Sequence, residues 1–477
     1  MSYMNTKIPF LLLVLFIGLN IPLTAQQNIL SKIHICFNHP IDASRSNGVV
    51  AQYSTSFISD TMAAYVNKAK YTVDVAQYDY SAYSSSGVGA FATAINNAYS
   101  RGVKIRWICD GSAPNSGLSL LNSAIPVLPS PTTSNYTIMH NKFIIIDVDS
   151  PDSSEAIVFT GSADWSNEMN SEDYNNHLII QSKQLALAYT QEFNIMWGDT
   201  VFGGAANKTT SKFGAYKTSV KNHVFSIGGS KVELYFSPTD SVNSHIFNTI
   251  ATANDDLYFG MYAFSEDDDA TAIVNCAKYG VYCAGVVDQY SIGYNAYTTL
   301  SNYLGANVAI YTGSYIYHNK YMVVDPSDTC SDPMVLTGSH NWTNSANISN
   351  DENTLIIHND TIANLYYQAI AEDFYIINGS ALKKETTGCV TGIPAIAKPS
   401  DLNVYPNPAS DYLNIRAKGY IPEKIGLYDL TGREILSTVP SMQFTSIPVD
   451  GLPNGVYLLK IATANGSTDV QKVEIIK

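Results

Sequence analysis

The chain has 477 residues, 45% of them hydrophobic and 14% charged, which suits a folded protein of several domains and excludes an extended disordered one. Its formal net charge is −14 and its pI about 5.0, with no Lys/Arg run. That balance argues against long-range attraction to nucleic acid or an anionic membrane and leaves substrate capture to a local pocket.

Residues 1–25 read as a signal peptide. Lys7 supplies a positive n-region, residues 10–17 an apolar core, and Leu23-Thr24-Ala25 a cleavage site before Gln26. Asn20 and Pro22 interrupt the apolar run before it could span a bilayer. The mature protein is therefore expected outside the cytoplasm. There its six cysteines, Cys36, Cys109, Cys276, Cys283, Cys330 and Cys389, are permitted disulfides whose pairing the sequence does not choose. Cys36 and Cys109 fall in apolar strands and equally suit buried thiols.

The chain then repeats itself. "VDVAQYDYS" (73–81) matches "LYFGMYAFS" (257–265), with Tyr78 against Tyr262. Each is followed by a helical stretch and an apolar strand closed by an aspartate, Asp110 or Asp288. Next come "IMHNKFIIID" (138–147) and "IYHNKYMVVD" (316–325), then "VFTGSADWS" (158–166) and "VLTGSHNWT" (335–343). An aliphatic strand and a helix close each copy. The alternation predicts two α/β lobes with mixed sheets, over 26–205 and 231–388, joined by a polar connection at 206–230. The acidic run "SEDDD" (265–269) reads as a solvated loop after a strand. Beyond a linker at 389–401, residues 402–477 carry short alternating strands and turn signals, the pattern of a small β-sandwich.

His140 and Lys142 are two apart, as are His318 and Lys320, so on a strand each pair projects from one face. Asp147 and Asp325 have the opposite parity and are expected to tie the strand ends to neighbouring backbone. The Gly-Ser turns return beside their own His and Lys. Two histidines facing each other across the lobes can divide nucleophilic attack from proton transfer. Two lysines, the hydroxyls of Ser162 and Ser339 and the amide of Asn341 can hold phosphoryl oxygens. No carboxylate cluster with metal-ligand spacing is visible, and neither metal nor cofactor is expected. Trp165 and Trp342, next to the turns, suit core packing better than contact with an acyl chain or a base.

The doubled H-x-K-x4-D and G-S-x-N pattern resembles the phospholipase D superfamily over roughly residues 30–380. The resemblance implies two α-β-α lobes about a pseudo-twofold axis, a site between them and hydrolysis of a phosphodiester through a phosphohistidine. It groups His140, Lys142, Asp147, His318, Lys320 and Asp325 as the catalytic set, with His140 the nucleophile and His318 the acid and base. Lys142, Lys320 and Asn341 would bind phosphate, Ser162 and Ser339 would support them, and Glu352 stands where an acid orients a histidine. The halves differ: Asp164 replaces the expected Asn, and Asn175 stands opposite Glu352. A glycerophospholipid is the leading substrate, with an endonuclease or a decayed phosphate-binding protein as alternatives. A monomeric core without a stable nucleic-acid partner is expected. The segments "YPNPASDYLNI", "YDLTGREI" and "LPNGVYLLKI" resemble the sorting domain of the type IX secretion system. That likeness implies a secreted or surface protein handled by that machinery.

Overall fold

The computed structural model describes residues 25–133, 136–326, 331–382, 402–417, 420–429, 433–440, 442–462 and 468–477. The linker, Cys330, Cys389 and the signal peptide up to residue 24 lie outside them. The chain divides into two compact units, 1–388 and 389–477. Among the described residues no helix is long and apolar enough to cross a membrane.

The first unit holds two eight-stranded mixed sheets. One contains β1 (Ile33–Phe37), β2 (Gln52–Tyr53), β3 (Thr72–Gln77), β4 (Lys104–Cys109), β5 (Val127–Pro129), β6 (Lys142–Ile146), β7 (Ile157–Gly161) and β8 (Asn176–Gln181), in the order β2-β1-β8-β7-β6-β3-β4-β5. The other contains β9 (Val224–Ile227), β10 (Ser230–Ser237), β11 (Asp256–Met261), β12 (Tyr282–Asp288), β13 (Val308–Tyr311), β14 (Lys320–Val324), β15 (Met334–Gly338) and β16 (Glu352–His358). Its order, β9-β10-β16-β15-β14-β11-β12-β13, matches the first sheet from β10 to β13, while the edges differ: β2 follows β1 and runs parallel to it, and β9 precedes β10 and runs antiparallel. In each, a helix (Gly89–Ser100 or Asp267–Lys278) carries the chain between two parallel strands, as a crossover requires.

The longest helices, Lys183–Trp197 and Asp360–Asn378, follow β8 and β16. Ser182 and Asn359 cap them by accepting from Leu185 N and Ile362 N. Both bury aromatic faces, including Tyr189, Trp197, Tyr366 and Phe374, in one apolar core shared with residues of both sheets. Separate cores cover the other faces, and Trp165 and Trp342 lie within them, 4% and 0% exposed. Contacts across the halves are reciprocal. Thr337 Oγ1 donates to Asn176 Oδ1 (3.0 Å), and Asn353 Nδ2 donates to Thr160 Oγ1 (2.9 Å). Such exchange is the mark of a pseudo-twofold interface.

Two expectations change. The polar stretch before residue 231 is not connection throughout: β9 folds back on β10 through Gly228-Gly229, a two-residue hairpin loop. The acidic run is not a loop throughout, because Asp267, Asp268 and Asp269 form the first turn of a helix, where the exposed Asp267 and Asp268 meet the positive end of its dipole. Burial pushes the Asp269 carboxyl up to about 8. Cys36, Cys109 and Cys283 are free thiols buried in strands, and burial pushes those of Cys36 and Cys109 up to about 12, far from thiolate reactivity.

The C-terminal unit contains β17 (Leu402–Tyr405), β18 (Tyr412–Ala417), β19 (Lys424–Tyr428), β20 (Glu434–Thr438), β21 (Phe444–Pro448), β22 (Gly455–Ala462) and β23 (Thr468–Ile475). They form antiparallel sheets β17-β18-β21 and β20-β19-β22-β23 around Leu413, Ile415, Ile425, Leu427, Leu459 and Val473. Alternate residues of β18 point inward, as a sandwich needs.

Candidate active site

The two His-x-Lys segments are fixed at both ends. Before each, an aspartate from the end of β4 or β12 catches a backbone N–H. Asp110 Oδ2 accepts from Met139 N (2.8 Å), and Asp288 Oδ2 accepts from Tyr317 N (3.1 Å). After each strand the chain turns through a left-handed residue, Asp147 (φ 53°) or Asp325 (φ 47°). The Asp147 carboxylate accepts from the backbone N–H groups of Lys70, Tyr71 and Thr72, and that of Asp325 from Asn254, Asp255 and Asp256. These N–H bonds offset the cost of the left-handed turns. Asp147 and Asp325 therefore stand at the far strand ends. There their carboxylates tie the strand ends to neighbouring backbone, as their parity predicts.

At the near ends each histidine is held by the opposite lobe. His140 Nδ1 lies 2.8 Å from Glu352 Oε2, and His318 Nδ1 lies 3.1 Å from Asn175 Oδ1. Ser339 Oγ donates to the same Glu352 oxygen (2.7 Å), and Asn350 Nδ2 donates to the other (3.1 Å). Ser162 Oγ donates to Asn175 Oδ1 (2.9 Å), while Asn175 Nδ2 donates to Met169 O (3.1 Å) and Asp173 O (3.2 Å). Both serines thus brace the residues that hold the imidazoles. Burial would raise the Glu352 carboxyl, but His140 beside it outweighs that and holds it below the usual range. An ionised carboxylate only accepts, so His140 Nδ1 carries the proton in this hydrogen bond.

The Gly-Ser turns need their glycines. Gly161 (φ 149°) and Gly338 (φ 151°) pass so close to the next strand that a Cβ would collide with the carbonyl oxygen of Asn176 or Asn353. This approach lets Ser162 and Ser339 reach residues 175 and 352.

The ammonium groups complete the site. Lys142 Nζ donates to His140 O (3.1 Å) and Lys320 Nζ to His318 O (2.7 Å). They lie 5.0 Å and 4.9 Å from the ring centres of Tyr78 and Tyr262, within cation–π range. The same rings flank His140 and His318 at 5.0 Å and 4.9 Å. Asp164 links the halves: its Oδ1 is 3.0 Å from Lys142 Nζ and its Oδ2 3.9 Å from His318 Nε2. Asn341, its counterpart, accepts from Ala263 N (3.4 Å). Burial, with Lys320, Lys142 and His140 nearby, drives His318 well below the ordinary imidazole range. Burial and Lys142 likewise depress the Lys320 ammonium.

Several participants carry no motif. Tyr78 and Tyr262 are visible in the sequence only as matched aromatics in the repeat. Lys217 sits in the polar connection, yet its Nζ lies beside Glu192 and 2.6 Å from Asp351 Oδ1, fully buried. Asp351 precedes Glu352, and its backbone O accepts from His140 N (2.9 Å). Among the described residues no group of three or more His, Cys, Asp or Glu side chains is placed to hold a metal ion.

A family model described as cardiolipin synthase, PLD-like domain, matches residues 62–197 and 246–374, more than half of the chain. A second, described as secretion system C-terminal sorting domain, matches residues 403–477. Phospholipase D of Rickettsia conorii is 27% identical over 148 residues, 31% of this chain and 70% of the relative. Mitochondrial cardiolipin hydrolase of Xenopus tropicalis is 32% identical over 111 residues, 23% of this chain and 49% of the relative, so the chain spans about half of that protein. Phosphatidylserine synthase of Haemophilus influenzae superposes with a TM-score of 0.47 at 15% identity, covering 74% of this chain and 89% of that one.

Proposed function

The chain belongs to the phospholipase D-like family, and from that premise we propose that it hydrolyses a glycerophospholipid diester through a phosphohistidine on His140. Its sorting domain makes it a secreted or surface protein. The observation that carries the proposal is the His140–Glu352 pair, in which a carboxylate holds Nδ1–H and leaves Nε2 free to attack.

In the first step Nε2 of His140 forms a bond to phosphorus and the bond to the head-group oxygen breaks. His318, protonated once an anionic diester is bound, gives its Nε2 proton to that oxygen. Lys142, Lys320 and Asn341 hold the non-bridging oxygens while charge builds on them. In the second step His318 takes a proton from water, the resulting hydroxide oxygen bonds to phosphorus and the P–N bond breaks. Phosphatidate leaves, and both histidines return to their starting states. Glu352 stabilises the positive charge on His140 throughout the intermediate's life.

The test uses the purified chain with EDTA present, offered phosphatidylcholine, phosphatidylethanolamine, cardiolipin, single-stranded DNA and a chromogenic diester. Head-group alcohol with phosphatidate supports the proposal, and a denaturing quench at neutral to mildly alkaline pH, where the P–N bond survives, should trap the phosphatidyl group on His140. Oligonucleotide fragments without lipid turnover would make it a nuclease. Inertness towards every diester would leave a binding protein.

A further inference from the structure

Asp164 is an anion that the two chemical steps leave without a part. Its carboxylate sits 3.0 Å from Lys142 Nζ and 3.9 Å from His318 Nε2, the two groups that must face a bound phosphoryl group from opposite lobes. It therefore holds the space between them where a phosphoryl oxygen has to come. Asn341, at the pseudo-equivalent place, is neutral.

We propose that Asp164 is a specificity-determining residue that lets the pocket accept monoanionic phosphodiesters and expel dianionic phosphomonoesters, the product included. The inference rests on the phosphodiesterase reading above. A diester carries one negative charge, whereas a monoester carries close to two above its second pKa of about 6. An entering ligand must share Lys142 with the carboxylate or displace it, and each ligand charge then meets a fixed like charge at contact distance. Asp164 and Lys142 are both buried, 7% and 2% exposed, so water screens this repulsion only in part. Hydrolysis of the diester itself raises the ligand's charge. The same carboxylate that tolerates substrate drives product out.

Binding of two probes to the full chain tests this without turnover: dimethyl phosphate, a monoanion, and glycerol 1-phosphate, a dianion at pH 8. Asp164→Asn should tighten glycerol 1-phosphate about 10-fold more than dimethyl phosphate at pH 8, the factor set by one like-charge contact in a partly screened pocket. At pH 5, where both probes are monoanions, that differential should vanish. Asp164→Ser, a second neutral variant, should behave like Asp164→Asn, and Asp164→Glu should restore discrimination. Equal tightening of both probes, no tightening, or no binding of either probe to any variant would overturn the inference. Loss of diester hydrolysis in the unmodified chain, with discrimination intact, would instead overturn the functional reading alone.

Discussion

Nδ1 of His140 in the first lobe lies 2.8 Å from Oε2 of Glu352 in the second, whereas the pseudo-equivalent His318 rests 3.1 Å from the amide oxygen of Asn175. A carboxylate stabilises the imidazolium character that a phosphorylated histidine acquires, and an amide does not. In the proposed mechanism the asymmetry is the reason for giving attack to His140. Glu352→Gln should lower kcat by ~10²-fold or more with little change in KM, because the lost stabilisation appears only as charge develops. Asn175→Gln should cost less. Steady-state rates on one diester check both, and equal losses would contradict the division of roles.

The same environment fixes the pH profile. His318 must be protonated to serve the leaving group, yet burial, Lys320, Lys142 and His140 all lower its proton affinity. In the free enzyme the charged form exists only on the acid side of the ordinary imidazole range. The alkaline limb of kcat/KM should therefore fall at acidic pH, while that of kcat, which reports the bound state, should lie higher because the phosphate anion favours His318 protonation. Lys320→Gln removes a positive neighbour and should move the kcat/KM limb upward even as the rate drops. Coincident limbs in both profiles would refute this account.

The strongly patterned elements were legible in the sequence. The duplicated His-x-Lys strands, the Gly-Ser turns and the two closing helices announce themselves because period and spacing repeat. The edge strands were not. β2 spans only Gln52–Tyr53, and β9 lies in a Gly-, Ser- and Lys-rich stretch that reads as linker, its strand state set by pairing with β10. The motif residues and Glu352 could be named, but sequence order hid that Glu352 serves the histidine of the other lobe. Lys217 left no trace, since one lysine in a polar connection looks solvated until the fold buries it.

That lysine gives a stability prediction. Lys217 is fully buried between Glu192 and Asp351, and Tyr136 Oη donates to the second Asp351 oxygen (2.5 Å). Burial pushes the Glu192 carboxyl up to about 7 even with Lys217 beside it. Lys217→Met leaves buried carboxyls without their cation and should destabilise the first unit by ~3–5 kcal/mol in urea titrations. It should also lower kcat, because Asp351 backs both His140 N and Glu352. Unchanged stability would mean the cluster relaxes at no cost.

Backbone approach at the turns gives another. Gly338→Ala forces a Cβ against Asn353 O at φ 151°, a conformation that L residues rarely adopt. The strain and the displaced strand should cost at least ~2 kcal/mol. The loss of activity should exceed that of a surface control of equal stability, because Ser339 would no longer brace Glu352. Calorimetry and rate assays on the same preparation separate the two effects.

Asp373 offers a pH-linked prediction with a definite sign. It lies on the helix Asp360–Asn378, 2% exposed, and accepts a hydrogen bond from Tyr317 Oη (2.9 Å), the residue before His318. Burial pushes its carboxyl up to about 8, above the 3.8 of an unfolded chain. A carboxyl whose folded pKa is raised contributes stability that is fully present below about 3.8 and lost as pH rises to about 8. The slope from this group alone is about 1.4 kcal/mol per pH unit. Asp373→Asn keeps the shape and the acceptor for Tyr317 but cannot ionise. Relative to the unmodified chain, the variant should therefore gain stability steadily from pH 5 to pH 8 and hold that gain constant above it. Thermal melts of both proteins at half-unit intervals measure the difference. A constant difference across the range would mean that Asp373 is already ionised in the folded protein.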